Sequence, residues 1–269
     1  MGIDINAIEV RFSTLIVHNK KLRVQHLKQS NAENKPTLVF LHEGLGCIEL
    51  WKDFPLKLAT ALGCDAIVYD RQGYGGSDAL DLPRPMNYLE IEALEFLPEL
   101  LSKLNVSNPI LVGHSDGASI ALIFGGRYPC TAIISEAAHI YVEEITIEGI
   151  KTVKSNPDLQ KVKEKLKKYH GNKTEDIFSA WADTWLSDDF RNWDISSYLT
   201  EISCPMLLIQ GLDDEYASTT QVEKIKQAMP KAPFIEVLMP ENCAHVPHFQ
   251  SADLVLETMI NFIKNKVEI

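Results

Sequence analysis

The sequence predicts an α/β fold in which a mostly parallel central β-sheet carries helices on both faces and is interrupted by a helical insertion. Three observations lead there. Short apolar runs of strand length alternate with segments of helical periodicity. The runs are continuous rather than alternating, as expected of strands buried on both faces. Residues 139–199 break the alternation and hold three of the four tryptophans, Trp181, Trp185 and Trp193. At 269 residues, with 45% hydrophobic and 23% charged side chains, the chain is long enough for one large core or two small ones.

In chain order, Glu9 to His18 and Leu22 to Leu27 read as two strands joined by a tight turn at Asn19 and Lys20. Thr37 to Leu41 is a buried strand, Trp51 to Leu62 has helical periodicity, and Ala66 to Tyr69 is a second buried strand. The spacing of Leu89, Ala93, Phe96, Leu97, Leu100 and Leu104 predicts a helix over 88–104. Ile110 to Val112 is a strand, Ser119 to Tyr128 a helix and Ala132 to Ser135 a strand. The alternation resumes with strands at Pro205 to Gln210 and Phe234 to Leu238, and helices at Thr219 to Met229 and Leu254 to Lys266. Residues 1–138 and 200–269 thus form the expected core, and 139–199 a helical cap over the C-terminal edge of the sheet. In the cap, Trp181 and Trp185 are four apart and share one helix face. The lysine-rich run 161–168 reads as a solvated helix face opposite the apolar stripe of Val162, Leu166 and Tyr169.

The net charge of −11 argues against nucleic acid and anionic membrane as partners. No run approaches the roughly 18 apolar residues of a membrane span. Residues 1–14 lack the layout of a signal peptide, and Asn6 stands where a myristoylated Gly2 would want Ser or Thr. The five cysteines, Cys47, Cys64, Cys130, Cys204 and Cys243, are widely spaced without a C-x-x-C pair, which fits reduced thiols in a cytoplasm. A small-molecule substrate is the expected partner, with self-association into a homo-oligomer left open.

Gly113, His114, Ser115, Asp116 and Gly117 form G-x-S-x-G between a strand and a helix. A serine at such a turn has its hydroxyl exposed, its neighbours two residues away must be small, and the following helix N-terminus faces the reaction centre. A serine needs a base, and the base an orienting acid. Carboxylates follow one later strand at Asp213, Asp214 and Glu215, and histidines follow the next at His245 and His248.

With these stretches, together with Phe40 to Gly46 and Tyr69 to Asp78, nearly the whole chain resembles the capped, single-domain α/β-hydrolases. The resemblance implies an α/β-hydrolase fold and a catalytic triad of Ser115, Asp214 and His245, with Asp213 the runner-up for the acid. It implies an oxyanion hole with one N–H from Asp116 and a second from the loop His42 to Gly46. Glu43 stands where the family usually has glycine, which leaves the second donor between Gly44 and Leu45, with Gly44 preferred. The turn from Asp70 to Ser77 is structural in the family.

Glu43, Leu45, Trp181 and Trp185 are the candidate substrate contacts. Carboxylates of Glu43 and Asp116 facing the pocket would disfavour anionic acyl groups, although both could instead bond to nearby backbone. The pair His245 and His248 lacks a third ligand nearby, so no metal and no other cofactor is expected. The activity implied is hydrolysis of a carboxylic ester or lactone. Alternatives are a C–C bond hydrolase, an aminopeptidase whose substrate amine pairs with Glu43 or a cap acid, or a non-catalytic small-molecule receptor on the same fold.

Overall fold

The structure is a computed structural model that describes residues 8–30 and 32–267. Gly2 and Asn6, on which the acylation reading rests, lie outside them, as does the first half of the N-terminal segment read for a signal peptide. The sheet has eight strands, β1 (Ile8–Val17), β2 (Lys20–Gln29), β3 (Leu38–Leu41), β4 (Ala66–Tyr69), β5 (Ile110–His114), β6 (Ala132–Glu136), β7 (Met206–Ile209) and β8 (Ile235–Leu238). Their order is β1-β2-β4-β3-β5-β6-β7-β8. The β1–β2 and β2–β4 pairs are antiparallel, and every other pair is parallel.

The continuous apolar runs are explained by the two faces. Val39, Leu41, Ile67, Tyr69 and Leu111 enter one core. Their neighbours Leu38, Phe40, Ala66, Val68, Ile110 and Val112 enter the other. Alternate side chains of a strand point to opposite faces, so a strand covered on both needs apolar residues at every position. The helix Asp116–Gly125 is buried along its whole length on the first face. Helices Phe54–Leu62 and Ala252–Lys266 cover the second.

Three elements differ from the sequence expectation. The helix expected from Trp51 starts at Phe54, and Trp51 closes a separate 3₁₀ turn, Ile48–Trp51. The helix expected from Ser119 begins at Asp116, because the Ser115 carbonyl accepts the Ala118 and Ser119 N–H groups at 2.9 and 3.0 Å. The single helix expected over 88–104 is Tyr88–Ile91, a π-helical turn Glu92–Phe96, then Leu97–Lys103. Pro98 has no N–H to donate to the preceding turn, and the widened turn ends just before it.

Between β6 and β7 the chain forms helices Glu144–Lys154, Leu159–His170, Thr174–Leu186 and Ser196–Leu199. An antiparallel bridge between Tyr141 and Asp194 and a 2.8 Å hydrogen bond from Ile195 N to Ile140 O bring the two ends of this segment together. Phe178, Trp185, Phe190, Trp193 and Ile195 join the first-face core. Among the described residues, no helix is long and apolar enough to cross a membrane.

Candidate active site

Ser115 stands between β5 and the helix Asp116–Gly125 with φ 53° and ψ −117°, a left-handed φ that a non-glycine residue adopts only under constraint. The constraint is legible in its neighbours. A Cβ on Gly113 would lie 2.3 Å from the Gly117 carbonyl oxygen, and one on Gly117 would lie 1.9 Å from that of Leu41. Both positions therefore exclude any side chain, and the tight strand-to-helix turn depends on them.

The Ser115 hydroxyl lies 2.9 Å from His245 Nε2. His245 Nδ1 lies 2.9 and 2.8 Å from the two Asp214 carboxylate oxygens. Asp214 Oδ1 also accepts the Tyr216 and Ala217 N–H groups at 2.8 and 3.2 Å, and Oδ2 accepts from the Gln210 amide. Burial pushes the Asp214 carboxyl up, but the His245 hydrogen bond and charge and the Tyr216 N–H outweigh it and hold the group below its ordinary range. Asp213, the other candidate acid, is exposed.

The loop after β3 is tied down from beneath. The Glu43 carbonyl accepts His42 Nδ1–H and Arg71 Nη2–H, both at 2.8 Å, while His42 Nε2 accepts the Arg71 N–H at 3.1 Å. Those partners require the neutral Nδ1–H tautomer of His42, and burial and the Arg71 charge hold its pKa well down. Gly44 lies under the insertion, where a Cβ would stand 2.7 Å from Trp181 Cδ1. The Leu45 carbonyl accepts His170 Nε2–H at 3.0 Å, and the other ring nitrogen of His170 accepts the Gly75 N–H at 3.0 Å. One neutral imidazole thus clamps the insertion to two core loops.

The two carboxylates flagged in the sequence are both engaged. Asp116 Oδ2 accepts the Tyr88 hydroxyl at 2.9 Å and lies 3.5 Å from Arg71 Nη2. Tyr88 in turn accepts Trp185 Nε1–H at 3.0 Å. Glu43 stands 3.7 Å from His114 Nδ1, an ion-pair distance rather than a hydrogen bond, and its side chain keeps 28% exposure. Burial lowers the His114 pKa, but Glu43, the Glu136 charge and the His245 carbonyl raise it to about 9. Burial raises the Glu43 pKa, but His114 and His42 bring it to about 2. His114 Nε2–H donates to the His245 carbonyl at 2.7 Å, and the raised pKa favours the imidazolium at neutral pH.

His248 hydrogen-bonds backward rather than to a shared ion with His245. Its Nδ1 lies 2.8 and 3.0 Å from the Glu136 carboxylate oxygens, and its ring lies beside Trp51 and Phe54. Among the described residues, the one trio with clustered ligand atoms is Cys47, Glu49 and Asp70. Asp70 accepts the Ile48 and Gly76 N–H groups and Glu49 accepts from Arg23, so this trio serves the turn.

Above Ser115 lies a cavity of about 360 Å³. Ser115, His245, Gly44, Leu45, Trp181 and Trp185 all line it, as do Glu43 and Asp116. Sequence reading missed several of its walls. Tyr216 lies against the His245 ring at 4.8 Å, and His139 lies 5.9 Å from that ring with Nε2 3.1 Å from the Tyr216 carbonyl. Thr146, Ile150 and Val153 come from the first insertion helix. No short motif marks these residues, because strand order and the insertion, not spacing, bring them together. His139, just past the end of β6 where ligands collect in such sheets, offered a readable signal.

A sequence profile of the alpha/beta hydrolase family matches residues 38–258. Alpha/beta hydrolase domain-containing protein 17C of Xenopus laevis is 23% identical over 209 residues, covering 78% of this chain and 55% of that protein. The 2-hydroxy-6-oxo-6-phenylhexa-2,4-dienoate hydrolase of Burkholderia cepacia is 22% identical over 277 residues, covering 93% and 95%. The chain thus spans about half the length of the first relative and nearly all of the second. Among solved structures, MGS-M2, an alpha/beta hydrolase enzyme from a Medee basin deep-sea metagenome library, superposes with a TM-score of 0.75 at 16% identity. That superposition covers 96% of this chain and 98% of the other, and at such identity the likeness is one of fold.

Proposed function

The chain belongs to the alpha/beta hydrolase family, and from that premise we propose that it is a serine hydrolase acting on a carboxylic ester or lactone of a small molecule. The observation that carries the reading is the line from Ser115 Oγ through His245 to Asp214, with 2.9 and 2.8 Å contacts, on the wall of a cavity of about 360 Å³. His245 takes the Ser115 proton as the hydroxyl attacks the carbonyl carbon. Asp214 keeps Nδ1–H in place, so that Nε2 is the basic nitrogen, and stabilises the cation that forms. The tetrahedral oxyanion is held by the N–H of Asp116 at the helix N-terminus and by that of Gly44, with Leu45 the alternative donor. His245 then protonates the leaving group, and water releases the acyl group by the same route.

A second reading is favoured by the charge of the cavity. Glu43, Asp116 and Glu215 line it, and its described lining includes no lysine or arginine. His114, which also lines it, is already paired with Glu43, and Asp116 faces Arg71. A substrate carboxylate would therefore meet Glu215 with no free cation in the described lining to receive it, which disfavours acidic C–C substrates. A substrate amine would find Glu215, exposed and next to Asp214, and that keeps an aminopeptidase in view.

The test is hydrolysis of p-nitrophenyl acetate and butyrate by wild type beside Ser115→Ala, with fluorophosphonate labelling of both. Turnover and labelling that vanish together in the variant are expected. Labelling without ester turnover would move the reaction to amides of amino-terminal residues. Absence of both labelling and turnover in the wild type would overturn the serine mechanism.

A further inference from the structure

A second cavity, of about 300 Å³, lies on the far side of Tyr88 and Asp116 from the serine. Its interior is built on two arginines, Arg71 from the loop after β4 and Arg84 from the segment before Tyr88. Arg71 is 2% exposed and Arg84 7%. Burying one guanidinium is costly, and burying two in a shared cavity adds their repulsion. Each is held on one side only. Arg71 Nη2 donates to the Glu43 carbonyl and faces Asp116, while Arg84 Nη2 donates to the Tyr74 hydroxyl at 2.6 Å. The Arg71 guanidinium lies 4.9 Å from the Tyr74 ring centroid, and that of Arg84 4.2 Å from the Tyr88 centroid. These aromatic faces orient both cations.

What remains is two donors in waiting. Arg71 Nε and Arg84 Nη1 are buried and find no hydrogen-bond partner among the described residues. Buried donors without acceptors are rare in folded proteins, and a charged one costs more than a neutral one. The other charges around the cavity do not supply the missing acceptor. At the mouth, Lys20 is paired with Asp81 at 2.6 Å. His18 faces Glu99 at 3.1 Å, and Glu95 is exposed to solvent. Among the described residues, Glu92 is the one buried acid lining the cavity; its Oε1 accepts the Tyr69 hydroxyl at 2.8 Å. Burial raises the Glu92 pKa more than the Arg71 charge lowers it, which reduces its worth as a counter-ion.

We propose that this cavity is a binding site for a small oxyanion, a carboxylate or phosphate group, clamped between Arg71 Nε and Arg84 Nη1. Guanidinium forks match such groups geometrically; the two unpartnered N–H groups are buried from solvent, so the ligand engages them when the guanidinium heads turn toward the cavity. The volume stands at the low end for small-ligand sites, about 300–1,000 Å³, so the group can be the head of a small metabolite. The site is independent of the reaction assigned to Ser115.

Isothermal titration of the wild-type protein with inorganic phosphate and, separately, with acetate tests this, at ionic strength fixed with sodium chloride. Saturable one-to-one binding of at least one probe is expected, and the tighter one identifies the class. Arg84→Gln, verified as folded by circular dichroism, is expected to bind at least about tenfold more weakly. Arg84→Lys, which keeps the charge and loses the fork, should fall between them. Crystals soaked in selenate should show an anomalous peak between Arg71 and Arg84, and this decides the matter should Arg84→Gln fail to fold. Absence of saturable binding, equal affinity in a folded Arg84→Gln, or a selenate peak elsewhere alone would overturn the proposal.

Discussion

The cavity above Ser115 is lined by Glu43, Asp116 and Glu215, whereas the cavity beyond Tyr88 is built on Arg71 and Arg84. Their linings share no residue, but side chains of one contact residues of the other. Asp116 carries its backbone to the serine side and its carboxylate to Tyr88 and Arg71. Arg71 lines the second cavity while gripping the carbonyl of Glu43, which lines the first. Both linings are mixed, with His114 among the acids of the first and Asp81, Glu92 and Glu95 among the cations of the second. The difference lies in which buried groups lack a partner. Arg71 Nε and Arg84 Nη1 of the second cavity have no acceptor among the described residues, whereas the carboxylates of the first, Asp116 and Glu43, are each faced by a cation.

The largest expected effect breaks the first cavity alone. Ser115→Ala should lower kcat on p-nitrophenyl esters by at least about 10³-fold, as removal of a triad nucleophile does elsewhere. Stability in urea should change little, because the new side chain fills nearly the same volume. An equal kcat in the variant would detach the reaction from this serine.

Substrate charge sharpens the comparison next. Between p-nitrophenyl esters of matched length, a neutral or cationic acyl group should exceed an anionic one by about tenfold or more in kcat/KM. Two like charges separated by a few ångströms in a half-buried site account for about 1–2 kcal/mol. Glu215→Gln should narrow that ratio and leave the neutral ester unaffected. A preference for the anionic ester would place the acids outside the path of the substrate.

Much of the first cavity was legible in the sequence, for a local reason. Gly113, Ser115 and Gly117 are dictated by backbone contacts within one turn, so the pattern travels with the geometry. The strands were legible because burial on both faces leaves only apolar residues. The second cavity was not. Arg71 sits in the turn read as structural and Arg84 in a segment without a motif, and only the folded chain presses them onto Tyr74 and Tyr88. The His114 and Glu43 pair was invisible for a similar reason, since adjacency of β3 and β5 in the sheet, not sequence spacing, brings the residues together.

That pair gives a pH test within the acidic cavity. The His114 pKa, raised to about 9, means its stabilisation is complete below the unfolded value near 6.5 and is lost as pH rises through about 9. The Glu43 pKa, lowered to about 2, sets the acid limit: its stabilisation is complete above about 4.5 and is lost as pH falls through about 2. Glu43→Gln should therefore cost about 1–2 kcal/mol near pH 7, and the gap to wild type should close above about pH 9. Urea titrations across pH 6–10 read it. A gap independent of pH would mean that Glu43 acts by shape and not by charge.

The smallest expected effect probes the contacts between the two cavities. Tyr88→Phe removes the hydroxyl that donates to Asp116 and accepts from Trp185, and leaves the ring beneath Arg84. The lost hydrogen bonds should cost about 1 kcal/mol of stability. Trp185 loses its indole acceptor, and among the described residues Asp116 keeps Arg71 as its only charged partner, at 3.5 Å. Because the Asp116 N–H is the proposed oxyanion donor, kcat should fall a few-fold with KM nearly constant, the signature of an interaction realised in the transition state. A change in KM alone would assign Tyr88 to shaping the Trp185 wall. A fall in kcat without any loss of stability would show those contacts to be held by Arg71, and the two cavities to be coupled through that guanidinium.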